Sequence, residues 1–139
     1  QVLPTEGTVL ITVNTSDRPA VGEVARRFHE LGFRIRATEG TARFLGEIGV
    51  PAEFINKVHE GRPNIVDGLK NGEIHLVINT PVGRSGKHDD SYIRKTAIAC
   101  RVPYITTLAA ALAAAKGIAA IRQGRGGVRS LQEYHAGIG

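Results

Sequence analysis

Short β-branched or alternating runs take turns with stretches of helical periodicity along this chain, and that alternation constrains its fold more than any other feature. "TVLITV" (residues 8–13) reads as a strand buried on both faces. "AVGEVARRFHEL" follows with Val21, Val24, Phe28 and Leu31 at helical spacing, and Gly32 ends that helix. "FRIRAT" (33–38) reads as the second strand and "TARFLGEI" (41–48) as the second helix, closed by Gly49 and Pro51. "AEFIN" (52–56) makes a weaker third strand, "KVHEGRPN" (57–64) a loop, and "IVDGLKNG" (65–72) a short helix stopped by Gly72. "HLVINT" (75–80) is a fourth strand and "PVGRSGKHDDS" (81–91) an exposed loop. "YIRKTAIACR" (92–101) is a helix, "PYIT" (103–106) a fifth strand, and "LAAALAAAKGIAAIR" (108–122) an alanine-rich helix. The remainder is Gly-rich, with "GRGG" at 124–127 read as flexible tail, and then a short strand-like or helical piece. Strands separated by helices in this rhythm predict βαβ units and an α/β fold with a mostly parallel sheet.

A chain of 139 residues makes one domain, and 42% hydrophobic residues suffice for a core without staples. The lone Cys100 excludes an internal disulfide and, within a predicted helix, reads as a small buried hydrophobe. No apolar run reaches the roughly 18–20 residues of a membrane-spanning helix, and the N-terminus lacks the basic and apolar segments of a secretory signal. With no methionine anywhere, the chain reads as one excised from something longer. A net charge of +5 favours anionic partners. The basic residues are interleaved with acids and few aromatics accompany them, which weighs against nucleic acid.

In an open parallel sheet, ligands bind beyond the carboxyl ends of the strands, near the point where strand order reverses. The predicted strand ends deliver Thr12 and then Arg18, Thr38, Asn56 and Lys57, Asn79 and Thr80, and Thr106 to one rim. A helix opening at Gly40 and Thr41 offers free N–H groups and a positive dipole end to a phosphate. Gly40 permits close approach, the hydroxyls of Thr38 and Thr41 can donate, and Lys57 and Arg18 add positive charge. Asn79 and Thr80 suit a sugar or base edge. Taken singly, each threonine is explained by capping or turn chemistry; their recurrence at successive strand ends favours a ligand.

Other chemistry is not written in the chain. It has no GxGxxG after its first strand and no GxxxxGK[ST]. His29, His59, His75, His88 and His135 are isolated, with no pair at metal-ligand spacing. His88-Asp89-Asp90 reads as part of a solvated loop. Glu39 is the one acid at the ends of the first four strands, so the pattern favours binding over catalysis.

The segments "TEGTARFL", "NKVHEGRPNIVDGLKNGEIHLVINT" and "TTLAAALA" resemble the C-terminal allosteric domain of the carbamoyl-phosphate synthase large chain. The resemblance covers about residues 7–138. It implies a three-layer α/β/α, methylglyoxal-synthase-like fold with a five-stranded sheet, in a single effector-binding domain that is not itself catalytic. It further implies a cytoplasmic parent, a ligase with ATP-grasp domains using ATP, Mg and K, and its glutaminase small subunit as a partner. Contacts between copies are also implied; nucleic acid and membrane are not. The implied effectors are UMP and IMP, with ornithine a further one. Their phosphate pocket falls on Thr38, Gly40, Thr41 and Lys57, with Thr12, Arg18, Asn56, Asn79 and Thr80 around it. The ornithine or interface region falls on Tyr104 and Thr106. Pro81 and Glu39 stand where some relatives carry a hydroxyl residue and a histidine. The competing reading is a methylglyoxal-synthase-type phosphate lyase acting on dihydroxyacetone phosphate, whose "GTTG" turn is here Glu-Gly-Thr-Ala.

Overall fold

The computed structural model describes residues 3–13, 18–80 and 87–133, with side chains except at 18, 59, 87–90 and 125–133. Its elements run β1 (Thr8–Thr12), α1 (Arg18–Glu30), β2 (Arg34–Ala37), α2 (Glu39–Glu47), β3 (Glu53–Phe54), a 3-10 turn (Val58–Glu60) and α3 (Ile65–Lys70). They continue through β4 (Leu76–Asn79), α4 (Lys87–Ala99), β5 (Tyr104–Ile105) and α5 (Leu108–Glu133). All pairings in the five-stranded sheet are parallel, in the order β3-β2-β1-β4-β5.

Burial explains the layers. Every residue of β1 and of β4 is buried, as expected of central strands covered on both faces. On one face Val9, Ile11, Ile35, Ala37, Leu76 and Ile78 pack against apolar residues of α1, α2 and α5, among them Phe28, Leu45, Ala111 and Ile118. On the other face Leu10, Ile55 and Val77 pack against Leu69 of α3 and Ile93 and Ala97 of α4. The period-two switch between Leu10 and its neighbours is the pleat expressed as two cores. Two helices cover less than three. Over the outer strands β2 and β3, the second face carries charge: Arg36 reaches Glu53 at 3.4 Å and Glu73 at 3.2 Å, and Arg34 also pairs with Glu53. The Arg34 hydrogen bond is the chief reason the Glu53 carboxyl sits below the usual carboxylate range.

The element boundaries differ from the sequence expectation in several places, four of which change the elements themselves. The second helix opens at Glu39, so Gly40 lies inside its first turn. The loop after β3 contains a 3-10 turn. Helix α4 starts at Lys87, so His88-Asp89-Asp90 belong to a first helical turn rather than a loop. Helix α5 continues through "GRGG" to Glu133 in place of a flexible tail; glycine inside a helix costs only about 1 kcal/mol against alanine, which is a penalty and not a prohibition. The remainder of the expected exposed loop, 81–86, lies outside the described residues. Among the described residues no helix is long and apolar enough to cross a membrane.

Candidate functional site

The order β3-β2-β1-β4-β5 reverses direction at β1 and β4, which puts the expected ligand crevice beyond Thr12 and Asn79, partners in the register of these two strands. Three threonines from different elements converge there. The hydroxyls of Thr12, ending β1, and Thr38, following β2, lie 3.0 Å apart. The Thr41 hydroxyl oxygen, in the first turn of α2, accepts the backbone N–H of Val13 at 3.3 Å. All three residues are buried, Thr41 to 1% exposure.

Each bond leaves a proton to place. A hydroxyl that accepts from Val13 still carries its own O–H, and of the two joined hydroxyls only one can donate to the other. The cluster can therefore point donors at a ligand while its oxygens bind the strands together. Thr38 is the N-cap residue of α2 with extended backbone, yet its side chain makes no capping bond to the helix. Its hydroxyl goes to Thr12 instead. The capping explanation of Thr38 thus fails, and the first-turn N–H groups of Glu39, Gly40 and Thr41 are without that side-chain cap.

Across the crevice Thr80 donates its backbone N–H to the Thr12 carbonyl at 3.1 Å. The Asn79 side-chain amide donates to the Tyr104 hydroxyl at 2.7 Å. This joins a residue expected at the nucleotide periphery to one expected at the ornithine or interface region. Thr106, one residue past β5, is exposed. Arg18 opens α1, and its side chain lies outside the described residues.

Lys57 and Asn56 belong to a loop with bonds of its own. Chain leaving β3 is carried alongside β2, with Ile55 N–H bonded to the Ala37 carbonyl at 2.9 Å, so Lys57 follows close on the Thr38 end of the sheet. Lys57 is half-buried and forms no ion pair among the described residues. Its N–H donates to Glu60 Oε1 at 2.8 Å, and its carbonyl accepts Glu60 N–H at 3.0 Å. The Asn56 amide donates to the Pro63 carbonyl at 3.0 Å, and its own carbonyl accepts Ile65 N–H at 3.1 Å. Asn56 therefore braces the loop. Behind it, Asn64 caps α3 through Val66 N–H, and Asp67 accepts Asn64 N–H at 2.8 Å. Arg62 grips Asp67 with Nε and Nη2, at 3.1 and 2.8 Å to Oδ1, and that contact is the main cause holding the Asp67 carboxyl below its ordinary range.

Sequence reasoning missed Glu60, Asn64, Asp67 and the Val13 N–H as parts of this framework. The Asn64-x-x-Asp67 spacing is a capping-box signal that could have revealed two of them; a backbone donor has no sequence signal. Glu39 is resolved too. Its carboxylate pairs with Arg43 at 3.1 Å, with both side chains mostly in solvent, so it lies along the outer face of α2. No group of three or more His, Cys, Asp or Glu is arranged for a metal ion among the described residues.

Comparisons with known proteins bear on the family and the fold. The family described as "MGS-like domain" matches residues 20–106. The carbamoyl phosphate synthase large chain of Gemmatimonas aurantiaca is 52% identical over 133 residues, covering 96% of this chain and 12% of that one. The C-terminal section of the large chain of Aquifex aeolicus is 48% identical over 138 residues, 96% of this chain and 26% of that section. The chain thus spans 12% and 26% of the length of these two curated relatives. Among solved structures, methylglyoxal synthase from Elizabethkingia anophelis NUHP1 superposes with a TM-score of 0.63 at 12% identity, over 77% of this chain and 75% of that one. That likeness bears on the fold alone.

Proposed function

Because this chain belongs to the MGS-like domain family, we propose that it is the C-terminal regulatory section of a carbamoyl-phosphate synthase large chain, and that it binds a phosphate-bearing nucleotide of the UMP or IMP kind. The observation that carries this reading is the Thr12–Thr38–Thr41 cluster at the rim of β1 and β2, beside a helix whose N-cap threonine does not cap it. A phosphate dianion matches such a place. Hydroxyl donors and first-turn N–H groups bond its oxygens, and the positive end of the α2 dipole favours its charge. Lys57 supplies a point charge from the neighbouring loop, and Arg18 at the start of α1 a second. Asn79 and Thr80, ending β4, stand where a sugar or base edge would extend from the phosphate.

Binding, not turnover, is the role that fits these residues. The rim offers hydroxyls, amides and a cation, while Glu39, the carboxylate nearest the cluster in sequence, is engaged with Arg43 in solvent. The bound nucleotide would act on catalytic domains elsewhere in the parent chain, which uses ATP, Mg and K and draws ammonia from its glutaminase subunit. Ornithine, where it acts, would meet Tyr104 and Thr106. Calorimetric titration with UMP, IMP, ornithine and N-acetylglutamate side by side tests the proposal. Saturable binding of a nucleotide supports it, and absence of heat or competition with both UMP and IMP rejects it. Release of phosphate from dihydroxyacetone phosphate by the purified chain would replace it with the lyase reading.

A further inference from the structure

The geometry points to Glu60 as the positioning residue for Lys57, acting through the backbone, so that phosphate affinity at the rim depends on a carboxylate that makes no contact with the ligand. This inference rests on the nucleotide-binding reading above. Lys57 stands at the start of the 3-10 turn with extended backbone, at φ −68° and ψ 162°. Glu60 closes on it reciprocally: the carboxylate accepts Lys57 N–H at 2.8 Å, and Glu60 N–H donates to the Lys57 carbonyl at 3.0 Å. The preceding residue is held just as firmly, with Asn56 bonded to Pro63 and Ile65. The backbone that carries the ammonium stem is thus fixed on both sides of its Cα.

Fixing that stem matters because lysine is a flexible point charge. An ammonium on a loose loop must surrender chain and rotamer freedom on meeting a phosphate, whereas one on a clamped backbone surrenders only the side-chain part. A carboxylate at the third residue of the turn also satisfies an N–H that would otherwise be left without a helical partner. Glu60 therefore lowers the ordering cost of the Lys57–phosphate contact, despite bearing the same sign of charge as the ligand.

The test is a calorimetric series with UMP and with uridine, on the whole 139-residue chain, comparing wild type, Lys57→Ala, Glu60→Ala and Glu60→Gln. Glu60→Ala should lose about three- to tenfold in UMP affinity, the scale of one net hydrogen bond. Uridine affinity should stay unchanged, so that the UMP-to-uridine ratio falls. Glu60→Gln keeps an acceptor oxygen and should recover most of the loss. Because Glu60→Ala retains the ammonium, salt should still weaken its UMP binding as steeply as in wild type, whereas Lys57→Ala should flatten that dependence. Equal losses for UMP and uridine, or Glu60→Gln as weak as Glu60→Ala, would overturn the positioning role. If Lys57→Ala itself binds UMP like wild type, the phosphate site is misplaced and the inference fails with it. Failure of wild type to bind UMP, checked again with IMP, rejects the nucleotide reading instead.

Discussion

Thr41 accepts the N–H of Val13 through its hydroxyl oxygen, tying the first turn of α2 to the residue that follows β1. A single buried side chain thus serves both the fold and the rim. Thr41→Val keeps the shape but strands the Val13 N–H, which should cost about 1–3 kcal/mol of stability. Nucleotide affinity should fall about tenfold with the loss of the donor hydroxyl. Thr41→Ser should be close to wild type in binding. Urea denaturation and calorimetry check the pair; full stability and full affinity in Thr41→Val would contradict both roles.

Glu39 is expected to be nearly silent. Its pairing with Arg43 is solvent-exposed and four residues apart on one helix, an interaction worth about 0.3–0.5 kcal/mol. Glu39→Gln should therefore change stability by less than about 1 kcal/mol and leave UMP binding within about twofold. A much larger gain in affinity would mean that its charge does reach the phosphate.

At the opposite end of the sheet, Gly7 cannot be replaced cheaply. Its φ is +121°, and a Cβ there would come 2.4 Å from His75 Nδ1. That nitrogen is not free to move aside, since it accepts Thr8 N–H at 2.9 Å. Gly7→Ala should destabilise the chain by about 1–3 kcal/mol through overpacking and backbone strain, read as a shift of the urea midpoint. A midpoint at the wild-type value would show that the segment before β1 adopts another course.

Asp67 makes acid stability measurable at one loop. Arg62, with the Asn64 N–H assisting, lowers its folded-state carboxyl from the ordinary value. A lowered folded pKa gives stability that is complete above the unfolded value of about 3.9 and is lost as pH falls from there through the folded value. The urea midpoints of wild type and Asp67→Asn should differ at pH 6 and converge as pH falls below about 4. A gap that stays constant to low pH would assign the effect to packing alone.

Much of this architecture was readable in advance because it rests on local patterns. The uniform burial of 8–12 and 76–79 matches their continuous apolar runs, and Val21, Val24 and Phe28 face the core at their helical spacing. The short edge strands were overdrawn, because sequence pattern cannot tell where a parallel ladder stops: β3 keeps only Glu53 and Phe54 and β5 only Tyr104 and Ile105. The start of α4 was invisible, since Lys87 to Ser91 carries no apolar period to mark it. Within the rim, residue types were legible and their bonds were not. Which hydroxyl Thr38 meets depends on β1 lying beside β2, and Asn79 finds Tyr104 across 25 residues of chain. Glu39 stands out in the sequence only as the one acid at the ends of the first four strands, and its partner Arg43 lies one helical turn away.

The central position of β1 has a consequence for how the chain withstands attack. Hydrogen-bonded to β2 on one side and β4 on the other, it makes the rim a meeting place of residues 12, 38–41 and 79–80, segments far apart in the sequence. An anion held there is a staple across distant segments, and it exists only while the sheet is whole. Occupancy then withdraws the opened forms that proteases cut, by RT ln(1 + [L]/Kd), or about 2.7 kcal/mol at a hundredfold excess over Kd. On the proposed function, the bound nucleotide would also decide how long such a domain survives in a cell.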